Sequence, residues 1–143
     1  MLKNAWMGTR AENGYKMTEV NTLSLKKSFI KIRDNYVINQ VQKANLPEFT
    51  ESEIRRYRVT FSGRVQKVGF RLEVCELATR LGLTGFCQNL ENGDVLAELQ
   101  GPKEKIKYLV SFMESLKRIK IKNKVIKKIE LVSNESEFVK KSR

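Results

Sequence analysis

The sequence predicts an α+β fold in which an antiparallel sheet carries two helices on one face, behind an extension covering residues 1–54. Three observations predict it. Tyr57, Val59 and Phe61 alternate with Arg58, Thr60 and Ser62, the period-two pattern of a strand with one buried face. Phe70, Val74, Leu77, Ala78 and Leu81 then recur at helical spacing and stop at Gly82, the residue type that closes a helix in a left-handed cap. Asn92-Gly93, flanked by apolar runs on both sides, is a hairpin signal, and a second helical stripe comes after it.

The extension falls outside this pattern. Its opening, through Gly14, has little periodicity and is expected to be mobile. Leu25, Phe29, Ile32 and Tyr36 recur at helical intervals, with Lys26, Lys27, Lys31 and Arg33 among them, which suggests an amphipathic helix over about 24–44. The β-branched Ile30, Ile32, Val37, Ile38 and Val41 weigh against helix, so a poorly ordered tail is the competing reading. Pro47 disfavours helix at Leu46 and marks a linker. Met17 is a second candidate for the start of the chain.

From residue 55 to residue 143 the elements come in turn. A strand is expected over Arg55 to Ser62 and a helix over Arg71 to Leu81, then strands over Thr84 to Leu90 and Asp94 to Gln100. Pro102 suits the first turn of a second helix, in which Ile106, Leu109, Val110, Met113 and Leu116 form the core-facing stripe. A strand over Lys124 to Ser133 and a short one over Glu137 to Lys140 complete the order βαββαβ plus an edge strand. That is the ferredoxin-like arrangement.

Between the first strand and the first helix lies Gly63-Arg64-Val65-Gln66-Lys67-Val68-Gly69-Phe70-Arg71. A strand-to-helix bridge presents unpaired N–H groups at the positive end of the helix dipole, which favours an anion. Arg71 falls in the first helical turn and carries a planar fork that matches phosphate oxygens. By itself such a turn is weak evidence. A second motif lies beyond it: Leu81-Gly82-Leu83-Thr84-Gly85-Phe86, closing on Asn89 and the Asn92-Gly93 turn.

Together the two motifs resemble the acylphosphatase family, whose signature loop is usually written Gly-Arg-Val-Gln-Gly-Val-Gly-Phe-Arg. The resemblance covers roughly Tyr57 to Lys140, with one departure in the loop: Lys67 stands where the family usually has Gly. It implies the same ferredoxin-like fold and a metal-independent hydrolase that converts small acyl phosphates to carboxylate and inorganic phosphate. Arg71 aligns with the family's phosphate-binding Arg, and Asn89 with the Asn that orients the attacking water. The loop residues Arg64, Val65, Gln66, Lys67, Val68, Gly69 and Phe70 would form the phosphate cradle. A Lys forced into a left-handed conformation at position 67 would cost roughly 1–2 kcal/mol.

Composition narrows the chemistry further. The 143 residues contain no histidine and two cysteines, Cys75 and Cys87, so a His-dependent base and most metal sites are excluded and no cofactor is expected. The cysteines read as reduced core residues, although a helix-to-strand bridge is conceivable. No apolar run is long enough to span a membrane, the opening lacks the apolar core of a secretory signal, and the expected compartment is the cytoplasm.

The formal charge is +12. Eight basic and six acidic side chains fall in residues 1–54, so +10 of it lies on the remainder. Such a field attracts small phosphorylated anions in a salt-dependent manner. Lys117, Arg118, Lys120, Lys122, Lys124, Lys127 and Lys128 run without an intervening acid. They read first as a solvated helix end and edge strand, and second as a nucleic-acid or anionic-membrane contact. The RNA-recognition sequence pattern is absent and Val95 to Gln100 offers no stacking aromatic, so nucleic acid is the less favoured partner. A monomer is expected. The alternative to catalysis is a module on the same fold that binds a phosphoryl anion or nucleic acid with little turnover.

Overall fold

The computed structural model describes the backbone of residues 2–142 and the side chains of residues 22–142. The chain forms two compact units, Met1–Asn35 and Tyr36–Arg143. Helix α1 covers Leu2–Lys43, longer than the helix expected over about 24–44. In the first unit Leu23, Leu25, Phe29, Ile30 and Ile32 are exposed, and Arg33 pairs with Asp34 at 2.7 Å.

In the second unit Tyr36 is also exposed, while Val37 and Val41 are buried. Within this unit the covered face of α1 is therefore the one carrying this i, i+4 valine pair, with Tyr36 on the open side. The guanidinium of Arg80 donates to the carbonyls of Val41, at 2.6 Å, and Ala44, satisfying acceptors that the end of α1 leaves open. Leu46 and Phe49 pack on the same core, Phe49 edge-on to Tyr108 with ring centroids 5.4 Å apart.

The strands are β1 (Ile54–Arg64), β2 (Thr84–Asn89), β3 (Val95–Pro102), β4 (Lys120–Ile129) and β5 (Phe138–Lys141), with helices α2 (Phe70–Leu81) and α3 (Lys103–Ser115) between them. They form a five-stranded sheet in the order β4-β1-β3-β2-β5. This is the βαββαβ order expected, with β1, β2, β3 and β4 antiparallel throughout. The added edge strand β5 runs parallel to β2, so the sheet is mixed.

Alternation decides the core. Val59 and Phe61 of β1, Cys87 of β2, and Val95, Ala97 and Leu99 of β3 are buried. They meet Val74, Leu77, Ala78 and Leu81 of α2 and Ile106, Leu109, Val110 and Met113 of α3. Gly82 closes α2 at φ 75°, and its N–H donates to the Thr79 carbonyl at 3.0 Å. Pro102 ends β3 and serves as the N-cap of α3, one position before the helix.

The largest difference from expectation is β4, which starts four residues before Lys124 and ends at Ile129 instead of Ser133. It starts earlier because a register shift between Ser62 and Gly63 carries β1 on to Arg64, opposite Lys120. It ends earlier because the next residues fold over the outer face of the sheet. There the side-chain amide of Gln100 donates to the Val132 carbonyl at 2.9 Å and accepts from the Val132 N–H at 2.8 Å. Glu135 reaches Arg56, which is 2% exposed and also binds Glu98 at 3.0 Å. The lysines of β4 lie on an exposed edge strand, where they discourage pairing with another chain.

Candidate phosphate-binding site

The register brings the predicted residues to one end of the sheet. Val95 opens β3 and pairs with Phe61 on one side and with Asn89 on the other. The end of β1, the end of β2 and the start of β3 are therefore level. β4 enters at the same end, with Lys120 opposite Arg64, and β5 leaves there, with Lys141 opposite Gln88. The segment from Arg64 to Arg71 bridges this end of β1 to the start of α2.

Anchors and strained positions alternate along that bridge. Gly63 sits at φ 123°, and a Cβ there would collide with the Lys120 carbonyl and lie 2.7 Å from the Lys122 nitrogen, so only glycine fits the bulge. Val65 is buried, and the Gln66 amide donates to the carbonyls of Leu90 and Asp94, both at 2.8 Å. Gln66 thereby ties the loop to the β2–β3 turn, next to Asn89. Phe70 is buried against Phe61 with ring centroids 4.9 Å apart.

Lys67 adopts φ 64°, the left-handed conformation that the family's usual glycine takes without penalty, and it is exposed. Lys67 thus holds this conformation under local strain. We expect Lys67→Gly to raise unfolding stability by roughly 1 kcal/mol, measured by denaturant titration, with activity retained. A tenfold fall in activity would instead assign a role to the ammonium.

Gly69, at φ 82°, is the N-cap of α2. The first intrahelical bond runs from the Glu73 N–H to the Gly69 carbonyl at 3.0 Å, which leaves the N–H groups of Gly69, Phe70, Arg71 and Leu72 without helical acceptors. Arg71 is half-buried in this first turn and donates to the Lys141 carbonyl at 2.8 Å. Asn89 is half-buried at the end of β2, and its side-chain amide makes no hydrogen bond among the described residues. Arg64, exposed at the end of β1, and Lys120 add positive charge at this end. Such an end, with free N–H groups, a planar cation and an uncommitted amide, can hold a phosphoryl group and a water molecule.

Sequence reasoning missed Glu73 and placed Arg118 among solvated cations, whereas the two form an ion pair. Glu73, the acidic residue in the first turn of α2, is fully buried and ion-paired with Arg118. Burial pushes its carboxyl above the ordinary range, and the hydrogen bond and charge of Arg118 offset only part of this. The signal was present, because Glu73 stands three residues after Phe70 and four before Leu77, on the apolar stripe itself. A carboxylate there needs a cation. Cys75 and Cys87 are both free; burial pushes both thiols up, so neither is poised as a nucleophile.

Comparison with known proteins agrees with this fold. The acylphosphatase family profile matches residues 57–140. An acylphosphatase from Clostridium beijerinckii is 43% identical over 63 residues, which is 44% of this chain and 67% of that protein. One from Clostridium acetobutylicum is 35% identical over 86 residues, 59% of this chain and 94% of that protein. The solved acylphosphatase of Coxiella burnetii superposes with a TM-score of 0.56 at 32% identity, covering 62% of this chain and 93% of its own. The N-terminal helix lies outside the matched region. On the loop, the fold and these matches, the chain belongs to the acylphosphatase family.

Proposed function

We propose that this protein hydrolyses the carboxyl-phosphate bond of small acyl phosphates without a metal, with the loop from Arg64 to Phe70 as cradle, Arg71 as phosphate ligand and Asn89 as the residue that orients water. The observation that carries the reading is the placement of Asn89 level with the bridge that delivers Arg71 to the start of α2. An acyl phosphate is an activated anhydride. Its carboxylate leaves with the electron pair of the broken P–O bond and needs no acid, while the water oxygen bonds to phosphorus and its protons leave on the phosphate. Charge stabilisation and positioning then suffice. The amides of the first turn and Arg71 hold the equatorial oxygens, and the Asn89 amide oxygen accepts from the water.

Because Asn89 acts on the water and not on the phosphate, its removal separates rate from binding. Asn89→Ala should lower kcat about 100-fold, the scale of a misplaced reactant, and leave the Kd for inorganic phosphate unchanged. Steady-state kinetics with acetyl phosphate, beside calorimetric phosphate binding, checks this. An unchanged kcat would remove Asn89 from the mechanism.

A further inference from the structure

The buried Glu73–Arg118 pair lies directly behind the loop, and its geometry exceeds what charge neutralisation requires. The guanidinium of Arg118 divides its donors among three partners: one arm on Glu73 Oε1, Nε on the Val68 carbonyl at 2.8 Å, and Nη1 towards Gln40 Oε1 at 3.4 Å. Its plane lies over the Tyr36 ring, 5.9 Å from the centroid. The second oxygen of Glu73 has no hydrogen-bond partner although it is fully buried. A side chain that served only to satisfy that carboxylate would cover both oxygens in the bidentate manner open to arginine. Arg118 instead commits a donor to the loop.

The Val68 carbonyl matters because it shares a peptide plane with the Gly69 N–H. In a trans peptide these two groups point in opposite directions across a rigid unit, and the chain contains no cis bond among the described residues. A cation that fixes the Val68 carbonyl therefore fixes the direction of the Gly69 N–H, one of the four donors free at the start of α2. Gly69 needs that restraint. It is a glycine at φ 82°, two residues after Lys67 at φ 64°, with no side chain of its own to restrain the backbone. Removing freedom in advance raises affinity by lowering the entropy lost on binding.

We propose that Arg118 is a positioning residue for the phosphate cradle: braced by Glu73 and by the Tyr36 and Gln40 side chains at the end of α1, it holds the Val68–Gly69 peptide with its N–H fixed for the anion. The proposal rests on the phosphate-binding reading of the loop. It also gives the last turns of α1, which precede the family region, a part in building the site.

The test is inorganic phosphate binding by the full chain, measured by calorimetry for the wild type, Arg118→Met and the double variant Glu73→Leu/Arg118→Met, with thermal unfolding of each. Arg118→Met should weaken phosphate binding about tenfold, a single hydrogen bond to a charged group. It should also lower Tm, since Glu73 is left buried and unpaired. The double variant removes that carboxylate, so it should recover Tm while phosphate binding stays weakened. Recovery of both would overturn the proposal, as Arg118 would then matter only through Glu73. Phosphate affinity unchanged in Arg118→Met would overturn it as well, while leaving the cradle standing. A wild type that binds no phosphate would overturn the cradle reading and this proposal together.

Discussion

Arg71→Ala is expected to lower kcat/KM for an acyl phosphate by about 100- to 1,000-fold, the range seen when one preorganised donor to a developing charge is lost. The effect on folding should be small. Among the described residues the Arg71 guanidinium makes one hydrogen bond, to the Lys141 carbonyl, in an exposed setting, and loss of such a bond costs about 1 kcal/mol or less. Activity and stability therefore separate in this variant. Arg71→Lys supplies a further distinction, because it keeps the charge and loses the planar fork. Partial recovery in that variant would assign the fork a share of the effect, and full recovery would mean that only the charge matters. Steady-state kinetics beside a denaturant titration reads both quantities.

Arg56→Ala is expected to destabilise the fold by about 3–5 kcal/mol, because breaking a buried ion pair from one side strands the other charges. Arg56 is 2% exposed and answers two carboxylates at once, Glu98 at 3.0 Å and Glu135 at 2.7 Å, with Gln100 at 3.1 Å as a third partner. Without it, Glu98 keeps Arg58 at 2.9 Å, but Glu135 loses the ion pair that helps, with the Gln100–Val132 bonds, to hold the segment after β4 against the sheet. The pH dependence has a definite sign. Partial burial pushes the Glu135 carboxyl up, but hydrogen bonds from Arg56 and Thr84 and the charges of Arg56 and Lys141 outweigh this and hold it below the ordinary range. A carboxyl depressed in the folded state contributes stability that is complete above its unfolded value and is lost as pH falls through its folded value. Unfolding free energy should thus decline on acidification below the ordinary carboxylate range, and less steeply in Arg56→Ala. Equal slopes in the two proteins would show that the pair is not the source.

Most of the fold was legible because β1, α2, β3 and α3 each carry a clear apolar spacing, broken only by Glu73 in α2, and each is bounded by a turn residue with a mechanical role. Gly82 and Asn92-Gly93 are of that kind. The two ends of β4 were misread for different reasons. Leu131 and Val132 alternate like strand residues, yet the Val132 backbone is taken by the Gln100 side chain, and no local pattern announces that. Lys120 to Lys124 carry the first half of β4, but alternation of lysine with isoleucine and asparagine shows no apolar face. In α1 the burial of Val37 and Val41 follows from contacts with distant parts of the chain that no local spacing announces. The candidate site was legible as a motif, including the left-handed position at Lys67. Its support was not, since Gln66, Glu73 and Arg118 act through partners 24 to 50 residues away in sequence.

The most direct test of the central claim is phosphate release from acetyl phosphate by the wild-type protein at neutral pH, in the presence of a metal chelator, against the spontaneous rate in the same buffer. The cradle, Arg71 and Asn89 predict release far above that background and indifferent to the chelator. Release no faster than background, from protein that still binds inorganic phosphate, would contradict the claim and leave an anion-binding module on an acylphosphatase fold.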